Sequence, residues 1–264
     1  MKTLPVLMTA SVSTRGMKGA CFTDNEREAM YIGALSFYIM NLLKKKGQKI
    51  VFAENSGWDL SSLKAKLPSF NPDQIEFISL PVELFDIGKG KGYNELLLIS
   101  ETLKRSKVIK ESGAFFKVTG RYPIYNLGYF LESAGKRIYQ DNMSLYADIK
   151  DHRLYDRLHL DWCGHSFECR LFAAENSYFL NNIAPLYVQC NDYTGNLCEK
   201  ILFNYVKSGG GKISLRFNRE PHFGGVEGSD IAAISFSKKQ DSLKGKLKRL
   251  AGNVIRIFLP FFYF

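Results

Sequence analysis

The segment Lys117-Val118-Thr119-Gly120-Arg121-Tyr122 sets two cations and a hydroxyl around a glycine at the end of an apolar run. Arginine grips phosphate oxygens with a forked pair of N–H donors, lysine adds a point charge, and glycine lets backbone approach a ligand closely. A strand end whose charges are merely solvated is the plain alternative. A second stretch, Gly88-Lys89-Gly90-Lys91-Gly92, stands before a helical pattern and invites comparison with phosphate-cradling turns. It lacks the Gly-Lys-Ser/Thr run of a P-loop, which argues against a nucleotide hydrolase of that class and leaves a surface turn as the alternative.

Carboxylates able to move a proton come later in the chain. Glu227 lies in a Gly-rich loop beside His222, and Glu168 sits at a strand entry two residues before Arg170. Either acid taken singly also reads as a solvated loop carboxylate. His159, Cys163, His165 and Cys169 are close in sequence, but their spacing matches no paired zinc-ligand pattern, and Trp162 and Phe167 read as packing residues. No metal ligand set is expected.

These groups need a scaffold, and the first half of the chain supplies an alternating one. Strands are expected over residues 6–12, 49–53, 75–80 and 114–118. Helices are expected from Asp24 to Lys46, through 59–67, and as one long element over 93–109. Lys44-Lys45-Lys46 suit the negative end of the first helix, and Gly47 ends it. Ligands of such open α/β sheets bind beyond the carboxyl ends of the strands, which selects the loops 11–19, 54–58 and 119–126. The second half is less regular, with strands expected over 167–173 and 213–217, helices over 176–186 and 196–206, and a polar loop over 219–230.

The chain has 264 residues, 45% hydrophobic and 14% aromatic, enough for one sizeable core. Its net charge of +10 is uneven, because residues 238–256 carry seven cations against Asp241 alone. That stretch interleaves Lys244, Lys246, Lys248, Arg249 and Arg256 with Leu243, Leu247, Leu250, Val254, Ile255 and Ile257, and it ends in an aromatic-rich tip. A basic amphipathic helix of this kind suits an anionic membrane surface; docking against the body or a partner chain is the alternative. Five scattered cysteines make a poor disulfide framework and point to a reducing compartment.

Glu54-Asn55-Ser56-Gly57, Gly90-Lys91-Gly92-Tyr93-Asn94-Glu95 and Phe116-Lys117-Val118-Thr119-Gly120-Arg121-Tyr122, in that order, resemble a group of bacterial glycosyltransferases that build capsule and O-antigen polysaccharides. Glu168-Cys169-Arg170 and the run from Pro221 through Gly225 and Glu227 to Ser229 extend the resemblance over roughly residues 4–235. It implies a GT-A-like α/β fold: an open, mostly parallel, Rossmann-like sheet flanked by helices. A nucleotide-sugar-binding half would span 1–130, an acceptor-side half 131–237 and the basic tail 238–264.

The resemblance further implies a nucleotide-sugar donor, a UDP-sugar in the first instance, and a lipid-linked glycan acceptor at the cytoplasmic face of the bacterial inner membrane. Ser11, Glu54, Asn55, Ser56 and Gly57 would surround the nucleoside. Lys117 and Arg121 would contact the diphosphate, and Lys91, Gly92, Thr119 and Gly120 would also belong to the donor site. Arg170, His222 and Gly225 would shape the acceptor side, with Glu227 and Glu168 as candidate acid–base groups. Such enzymes usually carry Asp-x-Asp after the fourth strand to hold Mn²⁺ or Mg²⁺; here Thr119-Gly120-Arg121 stands in that place. The expectation is that Lys117 and Arg121 supply the metal's charge. A non-catalytic anionic-lipid or nucleic-acid binding module is the alternative, though a charge concentrated in the tail speaks against nucleic acid. A homo-oligomer is left open.

Overall fold

Valine, leucine and phenylalanine runs without alternation, such as Val6-Leu7-Met8 and Ile50-Val51-Phe52, suit strands covered on both faces. In the computed structural model, which describes residues 3–17, 20–151, 164–209, 211–226 and 236–259, they form the centre of a seven-stranded sheet. Strands β1 (Val6–Ala10), β2 (Ile50–Glu54), β3 (Ile75–Ser79) and β4 (Ala114–Thr119) run parallel in the order β3-β2-β1-β4. Strands β5 (Leu145–Tyr146), β8 (Leu171–Glu175) and β9 (Ile213–Ser214) continue the sheet as β4-β8-β5-β9, with β8 antiparallel to both of its neighbours. The two halves of the chain therefore share one mostly parallel sheet. A separate two-stranded ladder joins β6 (Ile149–Asp151) to β7 (His165–Phe167).

The period of two sorts each strand between two cores. Val6, Met8, Phe116 and Val118 face one core with α1 (Asp24–Leu42), α2 (Leu60–Ala65) and α5 (Leu127–Tyr139). Leu7, Phe115 and Phe172 face the other, with α3 (Lys91–Arg105), α4 (Lys107–Ser112) and α6 (Cys198–Ser208). Two short C-terminal helices follow, α7 (Phe236–Asp241) and α8 (Leu243–Phe258).

Several boundaries differ from the sequence reading for identifiable reasons. Thr23 caps α1 through a reciprocal box with Glu26, and the helix ends at Leu42, so Lys44 to Lys46 lie beyond its last turn. The single helix expected over 93–109 is two helices. Ser106 has extended backbone, its hydroxyl accepts the Ile109 N–H at 3.1 Å, and it donates to Glu76. The strand expected over 167–173 is likewise interrupted: residues 168–170 turn the chain from β7 into β8, which pair with different partners. Residues 176–189 are helical but irregular, passing through a π turn at Phe179–Ile183 into a 3₁₀ segment containing Pro185, which has no N–H to continue an α ladder. Of the strand expected over 213–217, only Ile213–Ser214 pairs.

Replacing Thr23 with Ala removes one half of the α1 capping box. It is expected to lower the unfolding free energy by about 1 kcal/mol, measured by urea denaturation.

Candidate functional site

The loops after β1 and β2 are tied to each other before any ligand is considered. Glu54 is fully buried; its Oε1 accepts the N–H of Val12 at 3.1 Å and of Ser56 at 2.8 Å as well as the Ser56 hydroxyl, and its Oε2 accepts the Trp58 N–H at 3.3 Å. Ser11 donates its hydroxyl to Asn55 Oδ1 at 2.5 Å, and Ser13 donates its N–H to Ser56 Oγ at 2.9 Å. Gly57, at φ +73°, turns the chain away. Ser11, Glu54, Asn55, Ser56 and Gly57 thus lie together, with Glu54 spent on loop architecture. A buried carboxylate accepting several N–H donors holds backbone in place.

Beneath them lies the main departure. Because side chains alternate along β4, Lys117 shares a face with Phe115 and points under α3, where it is 0% exposed. Its ammonium meets Glu95 of α3 at 2.6 Å, Thr119 Oγ1 at 3.0 Å and the Cys169 carbonyl at 2.6 Å. Thr9 of β1 also donates to Glu95, at 2.9 Å. Lys117 is therefore a strut joining β1, β4, α3 and the β7–β8 turn, with no face open to a ligand.

Gly120 closes the gap between β4 and β1. Its N–H donates to the Thr9 carbonyl at 2.9 Å, and a Cβ there would lie 2.7 Å from that oxygen and 3.3 Å from the Tyr31 ring. Any side chain would force the two strand ends apart. Arg121 then leaves the sheet, with Nη2 donating to the Tyr122 hydroxyl at 3.2 Å and its guanidinium over the Tyr122 ring at 5.1 Å. Its Nη1 is buried and has no hydrogen-bond partner among the described residues. Such an atom is costly to leave unpaired, which makes it the most direct sign of a missing acceptor.

Arg121 is part of a cationic group. Partial burial, then the positive charges of Arg121 and Arg27, lower the Lys91 pKa below the ordinary lysine value. Arg27 is 6% exposed and is held on α1 by the carbonyls of Ser11 and Val12. The Gly88–Gly92 turn contributes differently from the phosphate cradle expected. The N–H groups of Lys91 and Gly92 both reach Asp192 Oδ2, at 2.6 and 3.4 Å, so a protein carboxylate already caps α3. Gly92 also packs against Cys198, whose Cβ would be 2.6 Å from an added one. Asp192 thus occupies the helix terminus, while the Lys91 charge belongs to the cationic group.

At the turn between β7 and β8, Glu168 grips Arg170 through Nε at 2.7 Å and through Nη2, and Arg170 lies over the Phe223 ring at 4.3 Å. Burial raises the Glu168 carboxyl, but the Arg170 charge and hydrogen bonds outweigh it and leave the pKa low. His222 pairs with Asp241 at 2.9 Å and stands edge-on to Tyr125. Gly225, at φ +83°, passes over the Arg121 backbone, where a Cβ would lie 3.3 Å from its carbonyl. Glu227, Lys18, Gly19, His159 and Cys163 lie outside the described residues. His165 is 3.1 Å from Asp151, and Cys169 Sγ is 3.9 Å from Cys198 Sγ.

Four residues of this neighbourhood escaped the sequence reading: Arg27, Glu95, Asp192 and Glu199. Glu199 is exposed, yet the surrounding protein and the negative charges of Glu95, Asp192 and Glu168 raise its carboxyl above the ordinary value. Glu95 stood within a motif already singled out. Nothing in the sequence brings Asp192 and Glu199 to the start of α3.

The place of an Asp-x-Asp motif holds a hydroxyl, a glycine and a guanidinium, and among the described residues no group of three or more His, Cys, Asp or Glu could hold a metal ion. That donor set does not fit a divalent cation, which takes carboxylate and carbonyl oxygens and is repelled by Arg121.

No protein-family model and no curated protein sequence matches the chain. Among solved structures it is similar to the galactosyltransferase LgtC in complex with donor and acceptor sugar analogs, at 9% identity and a TM-score of 0.49 over 82% of this chain and 74% of that one. The bifunctional glycosyltransferase WbbM aligns at 12% identity and 0.47 over 81% of this chain, which spans 39% of WbbM. HddC from Yersinia pseudotuberculosis aligns at 11% identity and 0.47 over 94% and 99% of the two chains. Similarity at this level leaves the function to the geometry of the site.

Glu95→Leu strands the buried Lys117 ammonium and is expected to cost about 3–5 kcal/mol of stability, with the double variant Glu95→Leu/Lys117→Met recovering most of it. Chemical denaturation of the three proteins measures the difference.

Proposed function

We propose that the protein is a glycosyltransferase that uses a nucleotide-sugar donor, with a UDP-sugar as the first candidate. The observation that carries this reading is Arg121 Nη1, buried beyond the carboxyl ends of β1 and β4 without a hydrogen-bond partner among the described residues, with Lys91 near enough to feel its charge and that of Arg27. Arg121 and Lys91 suit contact with a diphosphate, whose charge grows as the bond to the sugar breaks, while buried Arg27 adds positive field from behind the Ser11 loop. Lys91 takes the place first assigned to Lys117, which acts from below by holding Thr119 and Glu95. The knit loops holding Ser11, Asn55 and Ser56 offer the nucleoside a rigid wall.

In the transfer, the bond from the anomeric carbon to the diphosphate breaks and the nucleoside diphosphate leaves. The acceptor oxygen bonds to that carbon, and its proton passes to a carboxylate in an inverting reaction. Glu199 follows Cys198, which packs against Gly92 at the start of α3, and we assign it as the proton acceptor ahead of Glu168, which Arg170 grips. Glu227 is retained as a candidate on the resemblance alone. The turn at 168–170 and the segment 222–226 would shape the acceptor side. The proposed acceptor is a lipid-linked capsule or O-antigen glycan at the cytoplasmic face of a bacterial inner membrane. The resemblance and the basic C-terminal segment favour it.

A thermal-shift screen of nucleoside diphosphates and nucleotide sugars is expected to raise the melting temperature with one base preferred. Arg121→Ala should weaken that binding by about tenfold or more, as loss of a charged hydrogen bond does, with little change in the melting temperature of the free protein. Absence of any nucleotide-dependent shift would sink the donor assignment.

Donor turnover with excess chelator is expected to continue, and loss restored by Mn²⁺ or Mg²⁺ would refute the substitution of protein cations for a metal. Glu199→Gln should slow turnover by about 10²-fold or more, the scale of a general base, with donor binding unchanged.

A further inference from the structure

Helix α8 is turned inside out relative to an ordinary surface helix. The half-buried or buried residues of α8 are Gly245, Arg249, Gly252, Asn253, Ile255 and Arg256, of which only Ile255 is large and apolar. Arg256 is 6% exposed and bonds to both oxygens of Asp148 at 3.0 and 2.7 Å, to Glu220 at 2.6 Å and to the Phe217 carbonyl at 2.8 Å. Asn253 accepts the Glu220 N–H at 2.8 Å, and Arg216 reaches back to the carbonyls of Ile255 and Leu259. Gly252 packs so closely that a Cβ would lie 2.9 Å from Glu220. On the opposite face, Leu243, Leu247, Leu250, Val254, Ile257 and Phe258 are between 46% and 76% exposed.

An apolar stripe at helical spacing normally faces a core. Rotating α8 to bury it would withdraw Arg256 and leave Asp148 without its partner in the interior, so the clasp holds the stripe outward. Lys244 and Lys248 flank the stripe on one side and Lys246 on the other, all exposed, with exposed Lys238 and Lys239 on neighbouring α7. No described helix is long and apolar enough to cross a membrane. A second copy of the chain would bring the same lysines against these, whereas anionic headgroups complement them.

We infer that α8 is a rigid docking surface for an anionic lipid bilayer, lying in the plane of the interface and clamped to the body by Arg256. It differs from a free basic tail in two respects: Arg249 and Arg256 are inward anchors and contribute nothing to lipid contact, and the bilayer fixes the orientation of the sheet through the clasp to Asp148 and Phe217. This inference stands apart from the transferase reading, since it needs no donor or acceptor.

The test is co-sedimentation of the full chain with vesicles of phosphatidylcholine and phosphatidylglycerol (3:1) and with pure phosphatidylcholine. Binding is expected to the anionic vesicles and to fall with salt. Leu247→Glu/Leu250→Glu should reduce it at least tenfold, and each of Lys244→Gln, Lys246→Gln and Lys248→Gln about fivefold. Both sets change exposed side chains, and an unchanged melting temperature confirms that the variants fold. In hydrogen exchange of the lipid-free protein, α8 amides should be protected in the wild type and lose protection in Arg256→Gln. Equal binding to both vesicle types, or full binding by Leu247→Glu/Leu250→Glu, would overturn the proposal. So would a dimer in size-exclusion chromatography that the leucine variants dissolve, and unprotected wild-type α8 would overturn the clamp.

Discussion

The ion pair between Lys117 and Glu95 is the constraint on which the site is built. A fully buried ammonium is tolerable only when its hydrogens are taken up, and here they are shared among a carboxylate, a hydroxyl and a carbonyl from three different elements. That demand fixes the height of α3 against β4 and draws the β7–β8 turn over the end of the sheet. It also places Thr9, Thr119 and Glu95 in one connected group between β1, β4 and α3. With these positions set, Gly120 can bring β4 against β1, and Arg121 leaves the sheet at a defined point with one nitrogen unpaired.

Around that strut the charges are separated by sign. Arg27, Lys91 and Arg121 gather where the parallel strands end, while Glu199 shares its field with Glu95, Asp192 and Glu168. Asp192 sits between the two groups by capping α3, which prevents the helix terminus from serving as a second anion site. In the proposed transfer, the cationic side would meet the leaving phosphate and the neighbouring acidic side would take the proton.

The C-terminal region repeats the principle at a different scale. Asp148, Glu220 and Arg256 form a second buried ionic group, and the cost of breaking it determines which face of α8 meets solvent. Hydrophobic burial alone would have turned that helix the other way. In both places a paired charge overrides the simpler expectation that basic residues face outward.

Much of this protein could be read from its sequence. The uninterrupted apolar runs of β1, β2 and β4, spaced by helical patterns, determined an open α/β sheet, and the rule that ligands bind at strand ends selected the loops that hold Ser11, Asn55, Ser56 and Arg121. The amphipathic pattern of residues 243–258 likewise determined a basic helix. The alternation that turns Lys117 inward was present in the sequence, beside Phe115. Its partner was not, because Glu95 meets it only when α3 packs on β4. The break at Ser106, the turn at 168–170, the capping of α3 by Asp192 and the outward apolar face of α8 were decided by tertiary structure alone. Each depends on a polar group finding a partner distant in the chain, and local periodicity carries no record of such partners.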